Sequence, residues 1–468
     1  MKLTLYDATP SPTTWATPSY VDDIIAKGPV VDIRAFIDGE SGRPAYADWV
    51  IAQTTTDVTS VFEEAIDNVP TGGTLYLPTG TYYVTAEASP IILVDKRINI
   101  IGDGMWASII SVASGVGAAI DAIKIDIAGS AYGMTLSDFA IVPASGNPCR
   151  YGINLETDAS LQQFAWSFIH HVRIGEFGDY GLYINNTQTD GFFDNYIHDN
   201  FISGGVNFIG CGDAVRVERN YINGGNFSIK LTSMITGAGA FRCRDNVFIG
   251  TSGGMSLGTT RDVLIDGNEF EQQLDSDGTK RALITITGKS THTTITNNYF
   301  VATDLLCDTV LDIADGDDTY IDYNDIVLGN VTQTVAVIGA TAINTRFGKF
   351  NYLAAGALLQ GKITDGGSQT TVDHGEYFTA ISGATPSVAA GKYFTLTQSG
   401  AVTVTDLLGG IAGQKVIIIF GDNNTTVDFS ATNLKGNAGA DYAATGNDWM
   451  ECIYTGTAWH CAVHDCNA

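Results

Sequence analysis

The sequence predicts an all-β chain: a parallel β-helix with three strands per coil, closed at its start by a capping helix and followed by a small β-sandwich-like domain. Three observations predict it. Short β-type runs recur around a repeated Asn, the columns flanking that Asn are apolar, and turn formers abound, with 53 Gly and 11 Pro in 468 residues.

The repeats "NYIHDNFISGG", "VRVERNYINGG", "FRCRDNVFIGT", "IDGNEFEQ", "ITNNYFVA" and "IDYNDIVL" align on Asn200, Asn220, Asn246, Asn268, Asn298 and Asn324. Their separations of 20, 26, 22, 30 and 26 residues drift as a solenoid's do when insertions sit in loops. Three residues before each Asn stand Ile197, Val217, Cys243, Ile265, Ile295 and Ile321. Two residues after it stand Ile202, Ile222, Phe248, Phe270, Phe300 and Ile326. Both columns are apolar, so they point inward from two strands joined at a sharp bend. The third strand of each coil comes from runs such as "YGLYIN", "FSIKLT" and "VLDIAD". At the bend the Asn is expected to take left-handed geometry and to hydrogen-bond its neighbours above and below.

Upstream, "VVDIRAF" (30–36) precedes "VTSVFEEAID" (58–67), whose Val58, Val61, Phe62, Ala65 and Ile66 form an apolar stripe at helical spacing. "GGTLYLPTGTYYV" (72–84) and "INIIGDG" (98–104) follow. This order resembles the opening of the pectate-lyase superfamily of right-handed β-helices, in its phage tailspike and polysaccharide-depolymerase branch. The resemblance spans roughly residues 29–350 and implies that the helix caps the first coil, with Pro78 and Gly80 forming the first turn. It implies polysaccharide degradation by a glycoside hydrolase or a polysaccharide lyase, a homotrimer, and attachment to a virion tail. The insert "IDGESGRPAYADWVIAQTTTD" departs from the family's short acidic stretch. Polygalacturonase motifs and the His signature of uronan epimerases are absent.

Outward positions of a solenoid stack about 4.8 Å apart and suit an extended glycan. Two residues before each Asn come His198, Glu218, Arg244, Asp266, Thr296 and Asp322; four before come Tyr196, Arg216, Arg242, Leu264, Thr294 and Tyr320. Glu218 and Asp266 are the expected catalytic pair, about 9–10 Å apart across two rungs and near the carboxyl spacing of inverting glycosidases. Arg216, Arg242, Arg244, His198 and Tyr196 are expected to hold sugar. A salt-bridge ladder with Glu218 between Arg244 and His198 reads the same residues structurally. Beyond the bend, Glu269 is a reserve acid and Tyr221 a stacking platform. Tyr183, Lys230 and Asp312 face outward on the third strand, and Lys230 with Arg242 would serve a lyase. His170 and His171, being adjacent, are expected on opposite faces. No metal ligand set stands out and no cofactor is required, although "DSDG" (275–278) and "DIADGDD" (312–318) invite Ca²⁺.

Lys plus Arg number 24 against 51 Asp plus Glu, a net charge of −27, which argues against nucleic-acid or anionic-membrane partners. The opening "MKLTLYDATPSPTTW" has no apolar secretion core, and no run of eighteen apolar residues occurs, so a soluble virion or extracellular protein is expected. The expected organisation is an arm over 1–28, the β-helix over 29–353 and the small β domain over 354–468. Among the 7 Cys, Cys452, Cys461 and Cys466 could supply one disulfide, whereas Cys211, Cys243 and Cys307 read as core thiols. A polysaccharide-cleaving enzyme is the leading reading, a hydrolase before a lyase. A non-catalytic glycan-binding spike and a uronan epimerase are the alternatives.

Overall fold

The computed structural model describes residues 30–466 except 40–42, 86–89, 114–116, 128–129, 145–148, 158–162, 187–191, 213, 225–226, 235–239, 250–253, 272–281, 303–306, 330–332, 349–350, 354–361, 373–378, 390 and 431. The expected arm and the cluster Asp275–Gly278 lie outside the described residues.

Three parallel sheets of 13, 11 and 11 strands form the walls of a parallel β-helix, each strand bonding its equivalent in the next coil. Sheet I carries the strands before each Asn, sheet II those after it, and sheet III the third strand of each coil. The apolar columns fill the interior: Ile197, Val217, Cys243, Ile265, Ile295 and Ile321 are fully buried on sheet I. On sheet II, Phe248, Phe270 and Phe300 stack with ring centroids 4.7 and 5.0 Å apart.

The Asn column is a continuous amide ladder. Asn200 Nδ2 donates to Asn220 Oδ1 (2.9 Å), Asn220 to Asn246 (3.0 Å), Asn246 to Asn268 (2.9 Å), Asn268 to Asn298 (2.9 Å) and Asn298 to Asn324 (3.0 Å). Asn351 extends it, accepting from Asn324 at 3.0 Å. The left-handed residue, however, is the one before the Asn. Asp199, Arg219, Asp245, Gly267, Asn297 and Tyr323 all have φ between 54° and 69°. The Asn keeps ordinary backbone geometry because its amide must turn inward to reach the next coil, and its predecessor makes the bend.

At the start, α1 (Tyr46–Ile51) and α2 (Thr59–Asn68) cover the first coil. Val58, Val61, Phe62, Ala65 and Ile66 are buried, as the stripe predicts. The unusual insert supplies α1, whose Trp49 is 1% exposed, lies 5.3 Å from the Tyr82 ring and donates Nε1–H to Thr81 O at 3.2 Å. A Cβ at Gly80 would stand 2.8 Å from that indole, so the glycine of the first turn makes room for the cap.

The stack continues past residue 353, where the sequence reading ended it. Ile363–Asp365 adds to sheet III and Thr371–Val372 to sheet I. The polar sequence there lacks a ladder Asn to mark the last coil. A six-stranded and a three-stranded sheet follow, packed around a separate core that includes Phe394, Ile418, Met450 and Trp459. Cys452 and Cys461 are disulfide-bonded neighbours in its last hairpin; Cys243 and Cys307 are buried thiols. The Cys211 side chain lies outside what is described. Among the described residues, no helix is long and apolar enough to cross a membrane.

Candidate carbohydrate site

Strand register gathers most of the expected residues on one wall. On sheet I, Tyr196 pairs with Arg216 and Arg216 with Arg242, while His198, Glu218, Arg244 and Asp266 form the parallel column. Inward Ile and Val at alternate positions force these side chains outward. The left-handed bend residues Asp199, Arg219 and Asn297 also turn their side chains to this surface.

Those bend residues reorganise the charges. Arg219 makes a two-point contact with Asp199, Nε to Oδ1 at 3.0 Å and Nη2 to Oδ2 at 2.9 Å. Its Nη1 donates to the Tyr196 hydroxyl at 3.0 Å, and that hydroxyl donates to Glu218 Oε2 at 2.7 Å. His198 Nδ1 lies 2.6 Å from Asp199 Oδ2. A carboxylate only accepts, so Nδ1 carries the proton and Nε2 is left basic. The Arg219 guanidinium, with His198 adding and burial opposing, holds the Asp199 carboxyl down to about 2. Burial, reinforced by Glu218, raises the Tyr196 phenol above its ordinary value.

The order of the ladder therefore differs from the expected one. Arg244 does not pair with Glu218; it turns to Asp266, placing Nε and Nη2 3.0 and 2.9 Å from Oδ2. Asp266 Oδ1 accepts from Asn297 at 2.7 Å and Thr296 at 3.2 Å. Burial pushes this carboxyl up, but the bonds from Asn297, Arg244 and Thr296 outweigh it and leave the group below its ordinary value. Arg216 and Arg242 are exposed and make no side-chain hydrogen bond or ion pair among the described residues.

Other expected residues lie on other walls. Tyr221 and Glu269 face outward from sheet II, across the bend. Tyr221 stacks on Phe201 at 4.8 Å, and Phe201 lies 6.3 Å from Trp106, itself 64% exposed, giving an aromatic column. Tyr183 and Lys230 share a column of sheet III through Asn207. Lys230 and Arg242 are thus on different sheets, because the strand Ile229–Met234 belongs to the third wall and cannot share a rung surface with Arg242. Among the described residues, Asp312, Asp315, Asp317 and Asp318 do not bring three carboxylates together.

His170 and His171 do share a surface. His170 ends its strand, and His171 has φ +52°, so strand alternation stops between them and their Nδ1 atoms lie 2.9 Å apart. The His170 ring stacks on His198 at 5.0 Å. Sequence reading missed Asp199 and Arg219 altogether; the available signal was the column immediately before the Asn.

The Asp199–Arg219 contact makes acid stability testable. The folded carboxyl titrates near 2 and an unfolded one near 3.9, so its stabilisation is present above pH ~4 and lost as pH falls towards about 2. With both side chains partly exposed, the wild type is expected to lose about 1–2 kcal/mol more than Asp199→Asn over that window. Urea midpoints at pH 6, 4, 3 and 2.5 measure it; parallel slopes would refute the assignment.

No protein-family model and no curated protein matches the chain. Among solved structures, it is similar to the DFA-IIIase of Arthrobacter chlorophenolicus A6 without its lid (TM-score 0.53, 15% identity, covering 74% of this chain and 95% of that one). A Geobacillus virus E2 ORF18 protein (TM-score 0.46, 14% identity) covers 98% of this chain and 80% of its own. The Azotobacter vinelandii mannuronan C-5 epimerase A-module (TM-score 0.42, 14% identity) covers 81% and 95%. At these identities the likeness concerns the fold alone: the chain has the right-handed parallel β-helix that the sequence resemblance implied.

Proposed function

We propose that the protein processes an extended acidic polysaccharide on the outward face of sheet I, cleaving it by β-elimination beside a uronate carboxylate. The observation that carries this reading is the Asp199-oriented His198, whose Nε2 is left as a base on the wall that also bears Arg216 and Arg242. His198 would take the proton next to the carboxylate, Arg216 and Arg242 would neutralise the resulting enediolate, and the bond to the leaving sugar oxygen would break as that oxygen takes up a proton. Tyr196 is the nearest hydroxyl donor in the network. Trp106, Phe201 and Tyr221 offer an apolar aromatic column for neighbouring sugars across the bend.

Hydrolysis by Glu218 and Asp266 is the second reading, favoured by their places two rungs apart in one column. It is the weaker one because an inverting hydrolase needs one carboxyl kept protonated. Asp266 is held as an anion by Arg244, and Glu218 accepts from Tyr196 with Arg219 3.5 Å away. Such a substrate would be met outside a cell, and the tailspike resemblance leads us to propose a virion-borne homotrimer. A panel of acidic and neutral polysaccharides, assayed together for new reducing ends and for unsaturated-uronide absorbance, tests the proposal. Both signals support elimination, reducing ends alone support hydrolysis, and binding with neither signal makes the protein a glycan-binding spike.

A further inference from the structure

We infer that Asp138, His170 and His171 form a binding site for a divalent transition-metal ion of the zinc class. Two coils supply the site. Asp138 follows the strand Thr135–Ser137 at φ +60°, His170 ends the strand Phe168–His170 in the next coil, and His171 makes the following bend. These two bend residues and one strand end thus point their polar atoms to one spot. Each side chain offers one ligand atom, and all three atoms lie within 4.8 Å of one another. The two imidazole Nδ1 atoms are 2.9 Å apart, and His171 Nδ1 is 3.9 Å from Asp138 Oδ1.

Those separations bracket the edge of about 3.4 Å expected between ligands of a tetrahedral ion with metal–ligand bonds of about 2.0–2.1 Å. Side-chain rotations of a few tenths of an ångström would bring both to that value. The donor set selects the metal. Two imidazole nitrogens and one carboxylate suit Zn²⁺, Co²⁺ or Ni²⁺, whereas Ca²⁺ and Mg²⁺ take oxygen ligands. Three protein ligands leave at least one coordination position for water or for a carboxylate of an acidic glycan. His198, stacked on His170, keeps its Nδ1 on Asp199 and stays outside the ligand set. The inference does not depend on the catalytic reading, since a non-catalytic spike could hold the same ion.

The test uses the full chain, stripped with a chelator and titrated with Zn²⁺ by calorimetry and with Co²⁺ by visible absorbance. The expected result is one site per chain with micromolar or tighter Kd, a tetrahedral Co²⁺ spectrum, and no comparable binding of Ca²⁺ or Mg²⁺. His171→Asn should weaken this site at least tenfold, because Asn tolerates the left-handed bend but cannot replace the imidazole. Asp138→Asn should weaken it similarly, with the metal-free melting temperature of both variants unchanged. His292→Ala, at a left-handed position within the strand Ser290–Thr296 several coils away, should leave it intact. Absence of binding at 1 mM Zn²⁺, or binding that survives His171→Asn and His170→Ala together, would overturn the inference.

Discussion

His198→Gln is expected to lower turnover on the acidic polysaccharide by about 10²- to 10⁴-fold, the usual contribution of a positioned general base. The amide keeps a polar group near Asp199 but offers no basic nitrogen, so the loss should fall on kcat. Arg216→Ala should both raise KM and lower kcat, because the substrate carboxylate loses a charged partner and the enediolate loses part of its neutralisation. Glu218→Gln separates the two chemistries. Under elimination it replaces the charged acceptor of Tyr196 by a neutral amide oxygen and should cost far less than His198→Gln. Under hydrolysis the ranking inverts, and the inverted ranking in steady-state kinetics on one substrate would sink the base assignment.

Asn246→Ala is expected to destabilise the β-helix by about 3–5 kcal/mol, out of scale with the loss of one polar side chain. Asn246 Oδ1 accepts from the Asn220 backbone at 2.9 Å and from its amide at 3.0 Å, while Nδ2 donates to Val217 O at 2.9 Å and Asn268 Oδ1 at 2.9 Å. The residue is 1% exposed, so water cannot replace what alanine removes, and each stranded buried group costs about 1–3 kcal/mol. Asp245→Asn, one position earlier at φ 54°, should change stability by no more than about 0.5 kcal/mol, since Asn also tolerates that geometry. Urea midpoints compared at equal m-value decide it. Similar losses at both positions would mean that the bend, not the amide column, holds adjacent coils together.

The fold was legible because the ladder has one chemical solution. Asn accepts from the amide of the preceding coil while it donates to a carbonyl there and to the amide oxygen of the following coil, so that column is uniform and its apolar flanks stand out. The bend column reads Asp199, Arg219, Asp245, Gly267, Asn297 and Tyr323, a mixture with no compositional signal, because glycine-like backbone geometry can be tolerated by many residue types at modest cost. That mixture hid Arg219, and with it the true partners of Glu218 and Asp199. The same position explains His171. Strand alternation separates neighbours by face, and it does so only while the strand lasts. The wall of Tyr196, Arg216 and Arg242 was readable from spacing; which of its charges stay free for a ligand depended on side chains that spacing does not rank. Lys230 does stand on the third strand, as its run predicts; the pairing with Arg242 fails because spacing along the chain does not state that two walls of one coil face different directions.

The amide ladder makes neighbouring coils interchangeable on the inside while leaving the outer surface unconstrained. Growth or loss of the molecule can therefore proceed in whole units: duplicating one coil would lengthen the ligand track by a fixed increment of about 4.8 Å and preserve every internal bond. Preference for longer or shorter sugar chains could then change by recombination alone, with no point substitution in the groove.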